Sequence, residues 1–333
     1  MRLWQLGLAF LLLQTVSAFC GTGWAYEIVI FTSADIPAYH KAMQDFKAGL
    51  PSATRLTEYN LGGNIPQGRE QAKQIRASGP DLVLAVGLKA ALIAKVEIVD
   101  PPVIFCMVLN PGQYGLPARN MTGILMEVPS ARQLASMRTV VPKLSRIGLL
   151  YDKAHTEAFV KDAQTQAKAI GLTLVTRPVA SHEEVPQALR ELLPRVDVLW
   201  LLRDPTVVNP ESLQFIMRTA LDHNTPVFGF SSGLMRHGAL ATLSLDYQRI
   251  GRQAARLAVN ILGKRSTTGS LAQLVYPENP QLAINLNAAD FFGLTPPKQA
   301  LLLAAELFGG PGAFAQVDPL ESTTAPGDPF LLK

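Results

Sequence analysis

Short, continuous apolar runs alternate with amphipathic stretches along most of this chain, and that repeat predicts an α/β protein. EIVIFTS (27–33) is β-branched and apolar on both alternating faces, as expected for a strand inside a parallel sheet covered on both sides. DIPAYHKAMQDFKAGL (35–50) has helical spacing. ATRLTEYN (53–60), a helix over 65–77, DLVLAVG (81–87), a helix over 88–96 and a buried strand over 103–109 continue the alternation. Strands alternating with helices of this length imply βαβ crossovers and a parallel sheet.

The alternation then stops and restarts. PPVIFCMVLNP (101–111) ends in a polar loop, and NMTGILMEV (120–128) reads as an extended connector. A helix over 130–142 and the strand RIGLLYD (146–152) follow. Beyond them come a helix over 154–170, a strand over 172–179, a helix over 183–193 and a strand over 196–202. A helix over 210–223 and strands over 225–230 and 239–245 complete the series. The expected architecture is two Rossmann-like lobes with parallel sheets joined by a hinge. The first lobe takes 26–125 with 246–275, and the second takes 126–245 with 276–305. A cleft between hinged lobes is where a small molecule is enclosed.

The helix over 246–262 places Ile250, Ala254, Leu257, Ala258 and Ile261 on one stripe that packs against a sheet, and Gly263 stops it. KRSTTGS (264–270) reads as a loop, and 282–294 as a last strand and short helix. Residues 309–333, rich in Gly, Pro, Ala and Thr, read as a disordered tail.

Composition narrows the function classes. A chain of 333 residues, 48% hydrophobic and 17% charged, builds substantial cores and is too long for a typical single domain. Its formal charge of +4 is mild and no block of like charge occurs, which leaves a nucleic-acid partner without support. The N-terminus carries Arg2, then an apolar stretch over 3–16 and small residues, so 1–25 reads as a signal peptide. Gly23 and Ala25 favour cleavage before Tyr26, with cleavage after Ala18 as the second choice. The stretch is shorter than the roughly 20 apolar residues of a spanning helix, which favours export over a membrane anchor. Phe19 stands before Cys20 where a lipobox has a small residue, which argues against a lipid anchor. With the leader removed only Cys106 remains, in an apolar strand, so no disulfide framework is possible.

Several segments in order resemble one family. They are PDLVLAVGLKAA (80–91), PVIFCMVLNP (102–111), NMTG (120–123), VVPKLSRIGLLYD (140–152), DVLWLLRDPTV (197–207), TPVFGFSSGLMRHGAL (225–240), DYQRIGRQAARLAVNILGK (246–264) and NLNAADFFGL (285–294). The chain is similar to ABC-transporter substrate-binding proteins with the type I periplasmic-binding fold, in the branch of tryptophan- and tyrosine-type binders. The resemblance spans about 27–303. It implies a periplasmic or otherwise extracytoplasmic monomer that binds a small molecule, needs no cofactor, and works with ABC permease and ATPase subunits. Where the family often has Asp-Pro after the fourth strand, this chain has Asn110-Pro111, so an ion pair to a ligand amine from that position is not implied.

In open parallel sheets ligands bind beyond the carboxyl ends of the strands. The candidate contacts are Thr32, Ser33, Gly87, Asn110, Tyr151, Asp204, Phe230, Ser231, Ser232 and Asp246. Helix N-termini after Ser33, Gly87 and Ser232 would offer backbone N–H groups to a carboxylate. Each has a structural alternative: Ser33 and Asp35 as caps of the first helix, Gly87 as a tight turn, Tyr151 as a loop residue, Asp204 before Pro205 as a turn former, Asp246 as a cap. Phe31, Tyr39, Tyr114, Tyr151, Trp200 and Phe230 lie near strand ends and would suit an aromatic amino acid or another flat metabolite, or else belong to the core.

Two other classes compete. A sensory or regulatory module of the same fold lacks an appended helix-turn-helix here. A secreted hydrolase could use Gly229-Phe230-Ser231-Ser232-Gly233, which matches G-x-S-x-G, yet the only later His is His237 and no acid lies between. The five His residues show no ligand spacing, so no metal site is expected, and Arg249, Arg252 and Arg256 read as a solvated helix face.

Overall fold

A computed structural model describes residues 26–263 and 271–309. The leader, Cys20, the loop over 264–270 and most of the tail over 309–333 lie outside the described residues.

Two separate sheets form. The first combines β1 (Tyr26–Thr32), β2 (Thr54–Asn60), β3 (Leu82–Val86), β4 (Val103–Val108), β5 (Met121–Leu125) and β11 (Gln273–Val275) in the order β11-β5-β4-β3-β1-β2. All of its pairings are parallel. The second combines β6 (Arg146–Tyr151), β7 (Thr173–Pro178), β8 (Val198–Trp200), β9 (Val227–Gly229), β10 (Ala241–Ser244), β12 (Gln281–Asn285) and β13 (Glu306–Phe308) in the order β13-β12-β10-β9-β8-β6-β7.

Apolar runs without alternation arise because both faces of each strand are covered. Along β1, Ile28 and Ile30 join one core while Val29 and Phe31 join the core on the opposite face. Helices α1 (Pro37–Ala48), α2 (Ile65–Ser78) and α3 (Leu88–Glu97) cover the first sheet, joined by α8 (Tyr247–Gly263). Helices α4 (Ser130–Val140), α5 (Lys153–Ala169), α6 (Val185–Leu192) and α7 (Pro210–Asp222) cover the second, with the short α9 (Leu286–Phe291) and α10 (Lys298–Leu303) near its edge. Each fully buried Ile, Leu, Val or Phe contributes roughly 1.5–3 kcal/mol from apolar burial.

The chain passes between the sheets along three segments: after β5 into α4, after β10 into α8, and from β11 to β12. Helix α8 leaves the second sheet and seats on α1, where Gly251 makes the approach possible: a Cβ there would lie 2.0 Å from the Ala42 carbonyl oxygen. Arg252 Nε donates to Asp45 at 2.7 Å across the same contact.

Several expectations change. The stretch over 120–128 is not only a connector, because β5 forms within it and pairs with β4 and β11, leaving 126–129 to cross. The second sheet is not wholly parallel: β12 runs antiparallel to β10, because α8, the helix between them in the chain, packs on the first lobe and β12 enters from there instead of by a crossover over its own sheet. Strands β11 and β13 were not anticipated, being three-residue edge pieces with little apolar pattern. The arginines of α8 are exposed yet paired, Arg249 with Asp246, Arg252 with Asp45 and Arg256 with Glu278.

Candidate functional site

Strand β4 carries a bulge just before it ends: its register with β5 shifts between Phe105 and Val108, and Met107 adopts φ 60°. Bulges bend a strand and re-aim the residues that follow. Leu109, Asn110 and Pro111 come next, with Asn110 also left-handed at φ 45° and opening a 3-10 turn over Pro111–Tyr114. All three line a cavity of about 130 Å³ where the crossing segments meet.

The first lobe and the first crossing supply Leu125, Met126, Glu127 and Val128 to that cavity, and the second crossing supplies Leu245. The second lobe supplies Gln133 from α4, Thr156 and Phe159 from α5, Leu202, Arg203 and Phe230 from strand ends, and Leu243 from β10. The wall is chiefly apolar with a few polar groups, the usual make-up of a small-molecule site. A second depression of about 380 Å³, bounded by Ile65, Arg69, Lys73 and Glu97, lies on the outer side of α2 and α3. It is bounded by two helices of the first lobe alone, whereas the cavity at the crossings draws on strand ends of both lobes and is the better candidate.

The aromatic wall is organised from behind. Trp200 is fully buried, its indole edge-on to Phe159 at 5.6 Å between ring centroids. Trp200 Nε1 donates to Gln133 Oε1 at 3.1 Å, while Gln133 Nε2 donates to the Val128 carbonyl at 2.8 Å. A buried indole N–H thus finds its acceptor, and Gln133 ties α4 to the crossing segment. Phe230 faces Arg203, whose guanidinium lies 4.8 Å from the ring centroid.

Glu127 is the acid of this wall. Burial first, and the Asp162 carboxylate second, push its carboxyl up to about 7. Asp162 receives the Ser130 hydroxyl, and the Tyr276 phenol of the third crossing is held above its usual range by burial and by Glu127 and Asp162.

Of the residues singled out from sequence, Asn110 and Phe230 line the cavity. The others gather at strand ends with partners of their own. Thr32 Oγ1 donates to the Tyr59 carbonyl at 3.3 Å. Ser33 does not cap the first helix, whose Ile36 N-cap makes no side-chain bond; its Oγ instead accepts Ala90 N–H at 2.9 Å, capping α3. That bond occupies one of the N–H groups offered to a carboxylate after Gly87. Gly87 itself answers a packing need, since with φ 88° a Cβ there would stand 2.3 Å from Tyr39 Oη and 2.7 Å from Ser33 Oγ. Tyr151 belongs to the second-lobe core.

Asp204 is 1% exposed and accepts from Asp152 N at 2.8 Å, Thr156 Oγ1 at 2.7 Å and Thr206 N at 3.0 Å. Asp246 accepts from Gln248 N at 3.0 Å and Arg249 N at 3.3 Å, capping α8. Ser231 accepts Gly233 N–H at 3.4 Å ahead of a 3-10 turn at Ser232–His237, which replaces the helix expected after Ser232. Its backbone is extended, φ −141° and ψ 139°, without the strained turn of a nucleophile elbow.

Among the aromatics, Phe31 and Trp200 are core, Tyr39 packs under Gly87, and Tyr114 is 41% exposed on its turn. Sequence reasoning missed Glu127, Gln133, Thr156 and Phe159, whereas Leu109 and Arg203, both at strand ends, line the cavity as their positions suggest. Thr156 and Phe159 fall on the first turns of a helix after a strand, the one signal that could have found them. Among the described residues no group of three or more His, Cys, Asp or Glu is placed to hold a metal, and no helix is long and apolar enough to cross a membrane.

Two α/β lobes with mostly parallel sheets and a cavity at their crossings define the type I periplasmic-binding fold, and solved structures of that fold superpose on the chain. A ligand-free, open substrate-binding protein with adhesive properties from Clostridium difficile matches with a TM-score of 0.71 at 21% identity, covering 86% of this chain and all of that one. An ABC domain from Streptococcus pneumonia in complex with L-Trp matches with a TM-score of 0.58 at 20% identity, covering 85% and 99%. The family model described as ABC transporter substrate binding protein matches residues 39–308, and the chain belongs to that family. A tyrosine-binding protein of Clostridioides difficile (strain R20291) is 25% identical over 246 residues, 68% of this chain and 71% of that protein.

Proposed function

We propose that this protein is the extracytoplasmic binding component of an ABC importer, closing its lobes over an aromatic amino acid or a similar flat, polar-edged metabolite. The observation that carries the reading is the interlobe cavity, to which both lobes contribute and whose wall sets Phe159 and Phe230 among few polar groups. The tyrosine-binding relative points to the same ligand class. In this reading Asn110 and Phe230 touch the ligand, residues 1–25 direct export, and the protein acts as a monomer that presents its closed form to a permease and ATPase. Its role is binding rather than catalysis. Closure signals occupancy only if the ligand binds the closed form more tightly than the open one.

Thermal-shift titration of the purified chain tests this directly. L-tyrosine, L-tryptophan, L-phenylalanine, nucleosides, sugars and small carboxylates form the panel. A ligand at 100 times its Kd adds about 2.7 kcal/mol of stability and raises the Tm accordingly. The reading stands if an aromatic amino acid gives the largest rise. It fails if only sugars or nucleosides respond, or if ester turnover appears without any Tm shift.

A further inference from the structure

The interlobe cavity holds one carboxylate that neither the fold nor the aromatic wall explains. Glu127 sits on the crossing segment after β5, half-buried, with Leu125, Met126 and Val128 beside it. Besides Asn110, the other polar side chains of the wall are engaged: Gln133 with Val128 and Trp200, Thr156 with Asp204, Arg203 against Phe230. Glu127 makes no hydrogen bond or ion pair among the described residues. The charged group that acts on it is Asp162 from α5, a like charge, and Glu127 in turn acts on the Tyr276 phenol from the third crossing. An unpaired carboxylate in an apolar wall is costly unless a partner arrives to neutralise it.

We propose that Glu127 is the specificity-determining acceptor for a ligand ammonium group, so that the cavity selects small molecules joining a primary amine to an apolar or aromatic body. This rests on the ligand class proposed above and deepens it by naming the side chain that reads the amine. The crossing segment is suited to the task because it joins the two sheets, and residues of both lobes line the cavity around it. Near neutral pH part of the carboxyl is protonated, since its value stands at about 7. Binding a protonated amine then leaves the carboxylate paired with the ammonium and releases the carboxyl proton to the buffer. Affinity for an amine therefore falls as pH drops, by about tenfold per unit well below 7.

Calorimetric titration separates the possibilities. The probes are L-tyrosine, tyramine, and 3-(4-hydroxyphenyl)propanoate, which lacks the amine, each titrated from pH 5.5 to pH 8.5 into the wild-type chain, Glu127→Gln and Asp162→Asn. The expected wild-type result is binding of the amine-bearing probes, weakening toward pH 5.5. Glu127→Gln should lose at least about tenfold in affinity at pH 8.5, as for a buried charge-assisted bond, with a flat pH profile and undiminished binding of the propanoate. Asp162→Asn should move the midpoint of the profile to lower pH by removing the neighbouring anion, a shift that a merely structural role would not produce. If L-tyrosine binds and Glu127→Gln binds it equally with the same pH profile, the assignment of Glu127 falls while the amino-acid reading stands. If tyramine binds through Glu127 and L-tyrosine does not, the assignment stands and the amino-acid reading falls. Preference for the propanoate, or no binding of either amine, counts against Glu127.

Discussion

Thr156 donates its hydroxyl to Asp204 at 2.7 Å, so the acid that sequence places at the ligand stands one layer behind a cavity-lining threonine. Asp204 also gathers the junction of β6 and α5 and its own loop through Asp152 N and Thr206 N. Its job is to hold the second-lobe rim in shape.

Asp204→Ala should therefore act on stability first. Four donors, Asp152 N, Thr156 Oγ1, Thr206 N and Val207 N, lose a buried acceptor, and the expected cost is about 3 kcal/mol in urea unfolding, with Asp204→Asn intermediate. Ligand affinity measured well below the lowered Tm should change by less than the stability does.

Phe230 differs because it faces the cavity. Phe230→Leu keeps an apolar side chain and removes the ring that meets both Arg203 and the space beside it. Affinity for the aromatic amino acid that best stabilises the wild type should fall about five- to tenfold in calorimetry, the scale of a lost ring–ring contact. Unchanged affinity would remove Phe230 from the proposed site.

Close approach of α8 to α1 depends on missing side chains at Gly49, whose Cβ would stand 2.7 Å from Ala255 Cβ, and above all at Gly251. Gly251→Ala places a Cβ 2.0 Å from the Ala42 carbonyl oxygen, a backbone atom that cannot rotate away. The helices must part, and denaturant unfolding should show a loss of about 3 kcal/mol. Gly112→Ala, with nothing within 4 Å of the added Cβ, is the neutral control.

Cys106 is 1% exposed, and burial pushes its thiol up to about 12. Iodoacetamide at pH 8 should leave the Cys106 peptide unmodified in the native protein and alkylate it after denaturation, since the thiolate is the reacting species. Native alkylation at a rate near that of a free thiol would contradict this packing.

Glu127 also imposes a pH signature on stability. Its folded value is raised from 4.5 to about 7, so the native state binds the proton more tightly than the unfolded chain does. Without ligand, Glu127 therefore destabilises the fold above pH 7, and this penalty fades as pH falls from 7 toward 4.5. Glu127→Gln should stabilise the ligand-free protein by roughly 2–3 kcal/mol at pH 8 and by little at pH 4.5, read from paired urea curves.

Periodicity made the lobes legible. Strands buried on both faces read as unbroken apolar runs, as in 27–33 and 81–87, and helices between them read as one-sided stripes, so their order alone predicted two sandwiches. The edge strands β11 and β13 escaped because three exposed or half-exposed residues need no pattern to pair. Chain position near a strand end points to Asn110 and Phe230, which line the cavity, and equally to Ser33, Asp204 and Tyr151, whose polar or aromatic groups have partners in caps, loops and core. Which of those alternatives holds depends on side-chain direction. Glu127 and Gln133 lie on or beside a crossing segment that looks like a plain linker in one dimension; their chemistry arises because β5, α4 and α5 fold that segment against residues far away in the chain. Local propensity is written in neighbours along the sequence, whereas desolvation and charge pairing are set by neighbours in space, and only the folded arrangement of both lobes supplies those.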